Sequence, residues 1–376
     1  MKRLFAAGLA VALLLAPSAL AVTGEPAVEA GACLLMEKET GAILFEENAH
    51  QQMEPASVTK VMTMLLVMEA IDGGRLNLED QVTVSTHAAS MGGSQVYLKE
   101  NERMSVHDLL KAVAVASGND AAVALGEHLA GSEEAFVARM NQRAVELGMA
   151  DTHFVNCTGL PAEGHLTSAH DIAVMSRELM GHPDIRNYTT IWMDSLRDGQ
   201  FQLANTNKLI RFYQGATGLK TGFTDTALYC LSATAERDGM ELIAVVMGAP
   251  TSQQRFDSAK ALLDFGFANY TLLDVYPDQA LPPVDVLLGE QSTVQPELAR
   301  AGRVLIDKMD RDKVSTEITL CQDVAAPVEK GQTLGKMVVY IDGVEQTTIP
   351  IVAGQGVERL TFGDIFHRLW AMMCGG

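Results

Sequence analysis

The sequence predicts an α+β protein: an antiparallel sheet with a helical subdomain, followed by a small all-β domain and a terminal amphipathic helix. Three observations carry that expectation. Apolar residues recur at helical spacing in the stretches that follow Ser57, Ser105, Glu133, Ser168 and Arg255. Short apolar runs bounded by turn residues precede and follow those stretches. Beyond Tyr276-Pro277-Asp278 and Leu281-Pro282-Pro283 the apolar pattern changes to period two.

A chain of 376 residues is long enough for two domains, each with its own core. An apolar fraction of 48% argues against widespread disorder. A net charge of −19 argues against a nucleic-acid binder, which needs a basic stripe. Met1-Lys2-Arg3, the apolar run Leu4 to Leu15 and the small-x-small Ala19-Leu20-Ala21 read as a secretory signal peptide over residues 1–21. The alternative, an N-terminal membrane helix, is opposed by the short run and the polar turn from Thr23 to Glu29. Cys33 lies well beyond the apolar core, which argues against a lipoprotein site. The five cysteines are odd in number and widely spaced, so no disulfide framework is expected; Cys33 and Cys230 sit in apolar runs as small core residues. The histidines form no His-Glu-x-x-His and no Cys/His ligand spacing, so no metal is expected.

In chain order, Cys33 to Met36 and Ala42 to Phe45 flank Glu37-Lys38-Glu39-Thr40-Gly41 as a β-hairpin. Glu54-Pro55-Ala56-Ser57-Val58-Thr59-Lys60 then opens an apolar helix that runs to about Ile71 and stops at Gly73-Gly74. Ser57 and Lys60, three apart, share a helix face. A serine hydroxyl is a poor nucleophile until a base takes its proton. A lysine can be that base once burial and the positive end of the helix dipole bring its pKa down from ~10.4. Ser-x-x-Lys is frequent by chance, and a serine at a helix start is often only a cap, so the motif takes its weight from two others further along the chain.

Val82 to Ser85 is a short strand, and Gly92-Gly93-Ser94 a loop placed to form a site edge. Ser105-Val-His-Asp108 caps a helix from His107 to about Ser117. Ser117-Gly118-Asn119 then breaks the chain between two apolar helical runs and sets polar groups where a pocket could use them. Glu133 to Leu147 is a helix. Ser168-Ala-His-Asp171 caps the next, from Ile172 to Met180, and His165 and His170 beside it read as surface or capping residues. Asn205-Thr206-Asn207-Lys208 reads as a turn. Gly218-Leu219-Lys220-Thr221-Gly222-Phe223-Thr224 leads into strands over Ala227 to Ala233 and Glu241 to Gly248, joined at Arg237-Asp238-Gly239. Lys220-Thr221-Gly222 therefore belongs on or beside an antiparallel strand, and Gly222 allows close approach of a substrate backbone. Arg255 starts a further helix; its plainest reading is a solvated helix residue.

In the last part, Val284-Val286-Leu288 and Val314-Thr316-Ile318-Leu320 alternate, and Asp342-Gly343 joins Met337 to Ile341 with Val344 to Ile351 as a hairpin. No cluster of chemical groups lies there. Phe362, Ile365, Phe366, Leu369, Trp370 and Met373 then fall on one helical face, opposite Asp364, His367 and Arg368. This helix is too short to span a bilayer. It packs on the β domain or lies in the membrane interface, and the second is the expectation.

Ser-x-x-Lys, Ser-x-Asn and Lys-Thr-Gly in that order are far more specific than any one alone. With Pro55-Ala-Ser-Val-Thr-Lys60, Ala116-Ser-Gly-Asn-Asp-Ala-Ala122 and Gly218-Leu-Lys-Thr-Gly-Phe-Thr224, the chain resembles the low-molecular-mass penicillin-binding proteins, most closely the D-alanyl-D-alanine carboxypeptidases. The resemblance covers almost the whole chain. It implies a β-lactamase/transpeptidase-like catalytic domain over 22–273, a small β-rich domain over 274–356 and a membrane-associating amphipathic helix over 357–376, on the outer face of the cytoplasmic membrane. It implies that Ser57 attacks the penultimate D-alanine of a peptidoglycan stem peptide ending in D-Ala-D-Ala, that Lys60 takes its proton, and that Ser117 passes a proton to the departing amine. Asn119 would hold Lys60 or the substrate amide. The Ser57 and Phe223 N–H groups would form the oxyanion hole, and Lys220, Thr221 and Arg255 would receive the terminal carboxylate beside Gly222. β-Lactam antibiotics would acylate the same serine, and no cofactor is implied. Family members often carry histidine where Phe223 stands, which leaves the backbone donor intact. Rival readings are a β-lactamase, for which no Glu-x-x-Leu-Asn segment lies between the second and third motifs, a non-catalytic peptidoglycan- or β-lactam-binding protein, and endopeptidase action on crosslinks.

Overall fold

The structure is a computed structural model that describes residues 24–277 and 279–373; the expected signal peptide and Cys374 lie outside them. The chain opens with β1 (Ala32–Glu37) and β2 (Ile43–Glu47), the predicted hairpin. After a 3-10 turn over Ala56–Thr59 come α1 (Lys60–Asp72), β3 (Gln81–Thr83), α2 (Thr86–Ala89), β4 (Arg103–Ser105), α3 (Val106–Ala116), α4 (Asn119–Ala130), α5 (Glu133–Glu146) and α6 (Ala169–Leu179). Then follow α7 (Arg186–Thr189), the hairpin β5 (Met193–Leu196) and β6 (Phe201–Ala204), and α8 (Leu209–Phe212). β7 (Ala216–Thr224), β8 (Leu228–Arg237), β9 (Met240–Ala249) and α9 (Ser252–Asn269) complete this part.

The main sheet is antiparallel in the order β2-β1-β9-β8-β7. Its strands β1 and β9 read as near-continuous apolar runs because both faces are covered. Alternate side chains of a strand point to opposite faces. Ala32, Leu34 and Met36 of β1 and Ile243, Val245 and Met247 of β9 enter the core shared with α1 and α6. Cys33 and Leu35 of β1 with Leu242, Ala244 and Val246 of β9 enter a second core beneath Ala259, Leu262 and Leu263 of α9. Helix α1 is apolar on nearly every side, the composition of a helix buried within its domain. It packs among α3, α4, α5 and α6. The predicted caps are present: Ser105 Oγ accepts from the Asp108 N–H and Ser168 Oγ from the Asp171 N–H. β7 is an edge strand, and its free edge faces the 3-10 turn that holds Ser57. The helical subdomain and the sheet edge therefore meet at one crevice.

The remaining strands are β10 (Tyr270–Val275), β11 (Val284–Leu287), β12 (Thr293–Val294), β13 (Pro296–Leu298), β14 (Gly302–Asp307), β15 (Val314–Leu320), β16 (Asp323–Ala325), β17 (Thr333–Ile341) and β18 (Val344–Ala353). β10 pairs with β14, and β13-β18-β17-β15 form a four-stranded sheet. The Asp342-Gly343 hairpin is formed as predicted. On β15 the period-two pattern holds only at its ends: Val314 and Leu320 pack on the core, while Ile318 is exposed on this edge strand. Helix α10 (Phe362–Met373) closes the described chain, with Thr361 and Asp364 exchanging cap bonds.

Candidate active site

Pro55 leads into the 3-10 turn, and α1 begins at Lys60. This geometry puts Lys60 Nζ 3.0 Å from Ser57 Oγ. The same amine donates to Asn119 Oδ1 at 2.6 Å and to the Thr158 carbonyl at 2.7 Å. Lys60 is wholly buried, and burial pushes its pKa down to about 7, against a smaller opposing pull from Cys157 and Asp120. An amine held beside a hydroxyl with its pKa near neutrality has the geometry and basicity of a general base.

The predicted break between helices is present. Ser117 caps α3 in the left-handed region, with φ 62°, and α4 starts at Asn119. Ser117 Oγ is buried without a hydrogen-bond partner, a state that costs about 1–3 kcal/mol unless a ligand completes it. Asn119 reaches in two directions: its Oδ1 accepts from Lys60, and its Nδ2 donates to the Gly92 carbonyl at 2.6 Å. The Gly92-Gly93-Ser94 loop thus forms an edge of the site. Asp120, to which the sequence alone assigns no role, holds the preceding segment by accepting from the Val96 and Leu98 N–H groups.

The edge strand β7 supplies the opposite wall. Lys220 is buried and donates to the Thr221 carbonyl at 3.0 Å; burial, then repulsion from Lys60 and Arg255, holds its pKa well below the usual lysine value. Thr221 Oγ1 donates to Thr206 Oγ1 at 2.7 Å. At Gly222 the close neighbour is the protein itself rather than space kept for a substrate backbone. A Cβ there would meet the Pro55 carbonyl at 2.8 Å and Ser57 N at 3.0 Å. Phe223 is half exposed, its ring 4.4 Å from that of Tyr229. Arg255 is not a solvated helix residue: it is 6% exposed, donates to the Gly222 and Cys230 carbonyls, and lies near the Tyr229 and Phe256 rings. Burial lowers its pKa to about 10.

A cavity of about 280 Å³ joins these elements. Its lining includes Ser57, Ser117, Thr221, Gly222, Phe223 and Arg255, with Ser94, Thr206 and Tyr229, and none of these described residues is a carboxylate. Lys60, Asn119 and Lys220 stand directly behind it, tied to Ser57, Lys60 and Thr221. All nine predicted residues therefore meet in one place. The bonds that hold Lys60, Lys220 and Arg255 all go to neutral oxygens. In a chain of net charge −19, such a cluster of basic groups, Lys220 and Arg255 above all, is a fit receptor for a small anion, which would offset the burial that lowers their pKa. A larger depression of about 540 Å³ near Tyr276 and Arg300 brings no nucleophile and base together.

Two residues near the site depart from what their local sequence suggests. His165 is 2% exposed, not a surface residue, and its Nε2 lies 2.8 Å from Thr59 Oγ1. Thr206 does sit in the predicted turn, but that turn is part of the cavity wall. Its neighbours Asn205 and Asn207 are buried, and Asn207 Nδ2 donates to the Gly218 carbonyl at 2.8 Å, which fixes the turn against β7. Paired asparagines around a small hydroxyl residue are the available signal.

Comparison with known proteins agrees with this geometry. Residues 20–251 match the D-alanyl-D-alanine carboxypeptidase family, and residues 274–359 match the C-terminal domain of penicillin-binding protein 5. The chain is 43% identical to D-alanyl-D-alanine carboxypeptidase DacF of Bacillus subtilis over 98% of both chains. It superposes on penicillin-binding protein 5 from Haemophilus influenzae with a TM-score of 0.76 and 31% identity, covering 90% of this chain and all of that one. Penicillin-binding protein D2 from Listeria monocytogenes, solved in its ampicillin-bound form, matches with a TM-score of 0.59 and 35% identity over 64% of this chain and 98% of that one.

Proposed function

The chain belongs to the D-alanyl-D-alanine carboxypeptidase family, and from that premise we propose the chemistry its own residues perform. It is a serine DD-carboxypeptidase that acts on peptidoglycan stem peptides ending in D-Ala-D-Ala. Neutral Lys60 takes the proton of Ser57, whose Oγ attacks the carbonyl of the penultimate D-alanine. The Ser57 and Phe223 N–H groups receive the oxyanion; one such donor is worth about 3 kcal/mol. Ser117, whose hydroxyl has no protein partner, delivers the proton to the departing amine. Lys220, Thr221 and Arg255 hold the terminal carboxylate, which selects a chain end over an internal bond. Asn119 positions Lys60. Water then hydrolyses the ester. The observation that carries this reading is the 3.0 Å contact between a buried, neutrally partnered amine and the Ser57 hydroxyl, on a cavity shared with Ser117.

β-Lactams acylate Ser57 and are released slowly, because the described cavity lining offers no carboxylate to activate water as a β-lactamase would need. Export rests on the N-terminal sequence pattern. Helix α10 exposes Phe362, Phe366, Leu369, Trp370 and Met373 by 55–84%, which supports a helix lying in the membrane interface. No helix among the described residues is long and apolar enough to cross a membrane. The enzyme is thereby held at the outer face of the cytoplasmic membrane, the small β domain acting as a spacer.

Mass spectrometry of a stem pentapeptide incubated with the enzyme tests this function. Loss of one alanine is expected, together with a penicillin adduct on the Ser57 peptide that Ser57→Ala lacks. Alanine release by Ser57→Ala at the wild-type rate would sink the assignment.

A further inference from the structure

Ala56 immediately precedes the nucleophile and takes φ 47°, in the left-handed region that residues with a Cβ seldom adopt. Its carbonyl shares a peptide plane with the Ser57 N–H. In a trans peptide the two point in opposite directions, so whatever fixes the carbonyl also aims the N–H. Thr59 Oγ1 donates to the Ala56 carbonyl at 2.9 Å, and His165 Nε2 lies 2.8 Å from that hydroxyl. Gly159 packs against the same peptide: a Cβ there would sit 1.8 Å from the Ala56 oxygen and 2.9 Å from Ser57 N.

The hydrogen bonds run in one direction. The Val155 N–H donates to His165 Nδ1 at 3.0 Å, so Nδ1 carries the lone pair and Nε2 the proton. Nε2–H then donates to Thr59, leaving the threonine proton for the Ala56 carbonyl. Burial keeps the imidazole neutral, with its pKa lowered to about 4, and both residues are shielded from competing water.

We propose that His165, acting through Thr59, is a positioning residue for acyl transfer: it anchors the Ala56 carbonyl and so aims the Ser57 N–H at the oxyanion. The inference rests on the reading of Ser57 as nucleophile. The two oxyanion donors are supported differently. Phe223 lies on a strand paired with β8, whereas Ser57 lies on a single 3-10 turn with no ladder to hold it. The His165–Thr59 relay supplies what the ladder supplies on the other side.

Thr59→Val keeps the shape and removes the hydroxyl; His165→Phe keeps a ring and removes the donor. Each is expected to slow acylation of the full chain by penicillin on the order of tenfold, part of the loss for a deleted donor. The infrared band of the acyl-ester carbonyl is expected to move to higher wavenumber, because a less well aimed donor polarises it less. The double variant should lose no more than the weaker single variant, since both cut one relay. His165→Gln, whose amide can donate to Thr59, should recover most of the rate. Wild-type acylation rates in both single variants, or slower acylation with an unmoved carbonyl band, would overturn the proposal. Should Thr59→Val fail to fold, His165→Phe against His165→Gln decides by the same two measurements. Absence of a Ser57 adduct in the wild-type protein would instead refute the catalytic reading and the inference with it.

Discussion

The part that carries the chemistry and the small β domain beyond it treat burial in opposite ways. Among the described residues, every buried polar or charged side chain lies at or before Ser258; beyond it the buried residues are apolar or glycine. The first part holds Lys60, Lys220 and Arg255 inside, each a cost to folding unless partnered. The later strands bury only small apolar clusters around Val294 and Met337, and α10 turns Phe362, Phe366 and Trp370 outward. One region holds polar groups in, and the other shows apolar groups out. In the proposed function each departure from ordinary burial is a surface that another molecule would complete: a carboxylate-bearing peptide in the first case, the membrane interface in the second.

The sharpest way to break this contrast is to remove the buried base. Lys60→Met is expected to lower D-alanine release by about a thousandfold, within the range for a lost general base, while thermal melting stays cooperative. Turnover within tenfold of wild type would show that burial of this amine serves packing alone. Gly159→Ala comes next. Gly159 has φ 82°, and an added Cβ would lie 1.8 Å from the Ala56 oxygen, so the Ser57 turn must shift. A displacement near 1 Å at the reacting group costs about a hundredfold in rate. Steady-state kinetics beside a melting curve separates that loss from unfolding.

Lys220→Met removes a buried amine that pairs with no carboxylate among the described residues and would become charged on meeting one. Charge-assisted hydrogen bonds are worth about 1.5–3 kcal/mol, which converts to about 10- to 100-fold in kcat/KM for a peptide with a free terminal carboxylate. An amidated peptide should be affected much less; equal losses for both would remove Lys220 from carboxylate recognition. The pH response is smaller. Lys60 must be neutral to accept a proton, and its pKa is lowered to about 7. Acylation should therefore fall about tenfold per unit below that value and level off above it. The native state loses this proton near pH 7 and the unfolded chain near ~10.4, so between them the unfolded state binds more protons and stability rises with pH.

What the sequence made legible was local or repeated. Ser57 and Lys60 are three apart on one helix start, and Asn119 follows a visible helix break. The strand nature of Lys220 to Phe223 showed in the turn residues and apolar runs around it. What escaped were contacts across long sequence separations. Thr59 and His165 stand 106 positions apart, and nothing local to either marks them as partners. A histidine beside a capped helix reads as exposed until both ring nitrogens are seen to be bonded. Arg255 was marked only by the resemblance: read locally, an arginine in a helix first turn is expected in water, and its bonds to the Gly222 and Cys230 carbonyls and the nearby Tyr229 and Phe256 rings account for its burial. Gly222 was legible as a close approach but not as one between two parts of the same chain.

The smallest expected effect tests the other side of the comparison. Truncation before Phe362 removes α10, whose apolar residues Phe362, Phe366, Leu369, Trp370 and Met373 are each more than half exposed, and which lends no residue to the cavity. Turnover of a short soluble pentapeptide should therefore stay within about twofold of the full chain, as for changes away from a site. Sedimentation with phospholipid vesicles should be lost, because the apolar face supplies the affinity and the acidic chain adds no electrostatic attraction to anionic lipid. If the truncated enzyme still sediments, another surface holds the membrane. If it loses turnover on the short peptide, the exposed helix supports the site and the separation of the two regions fails.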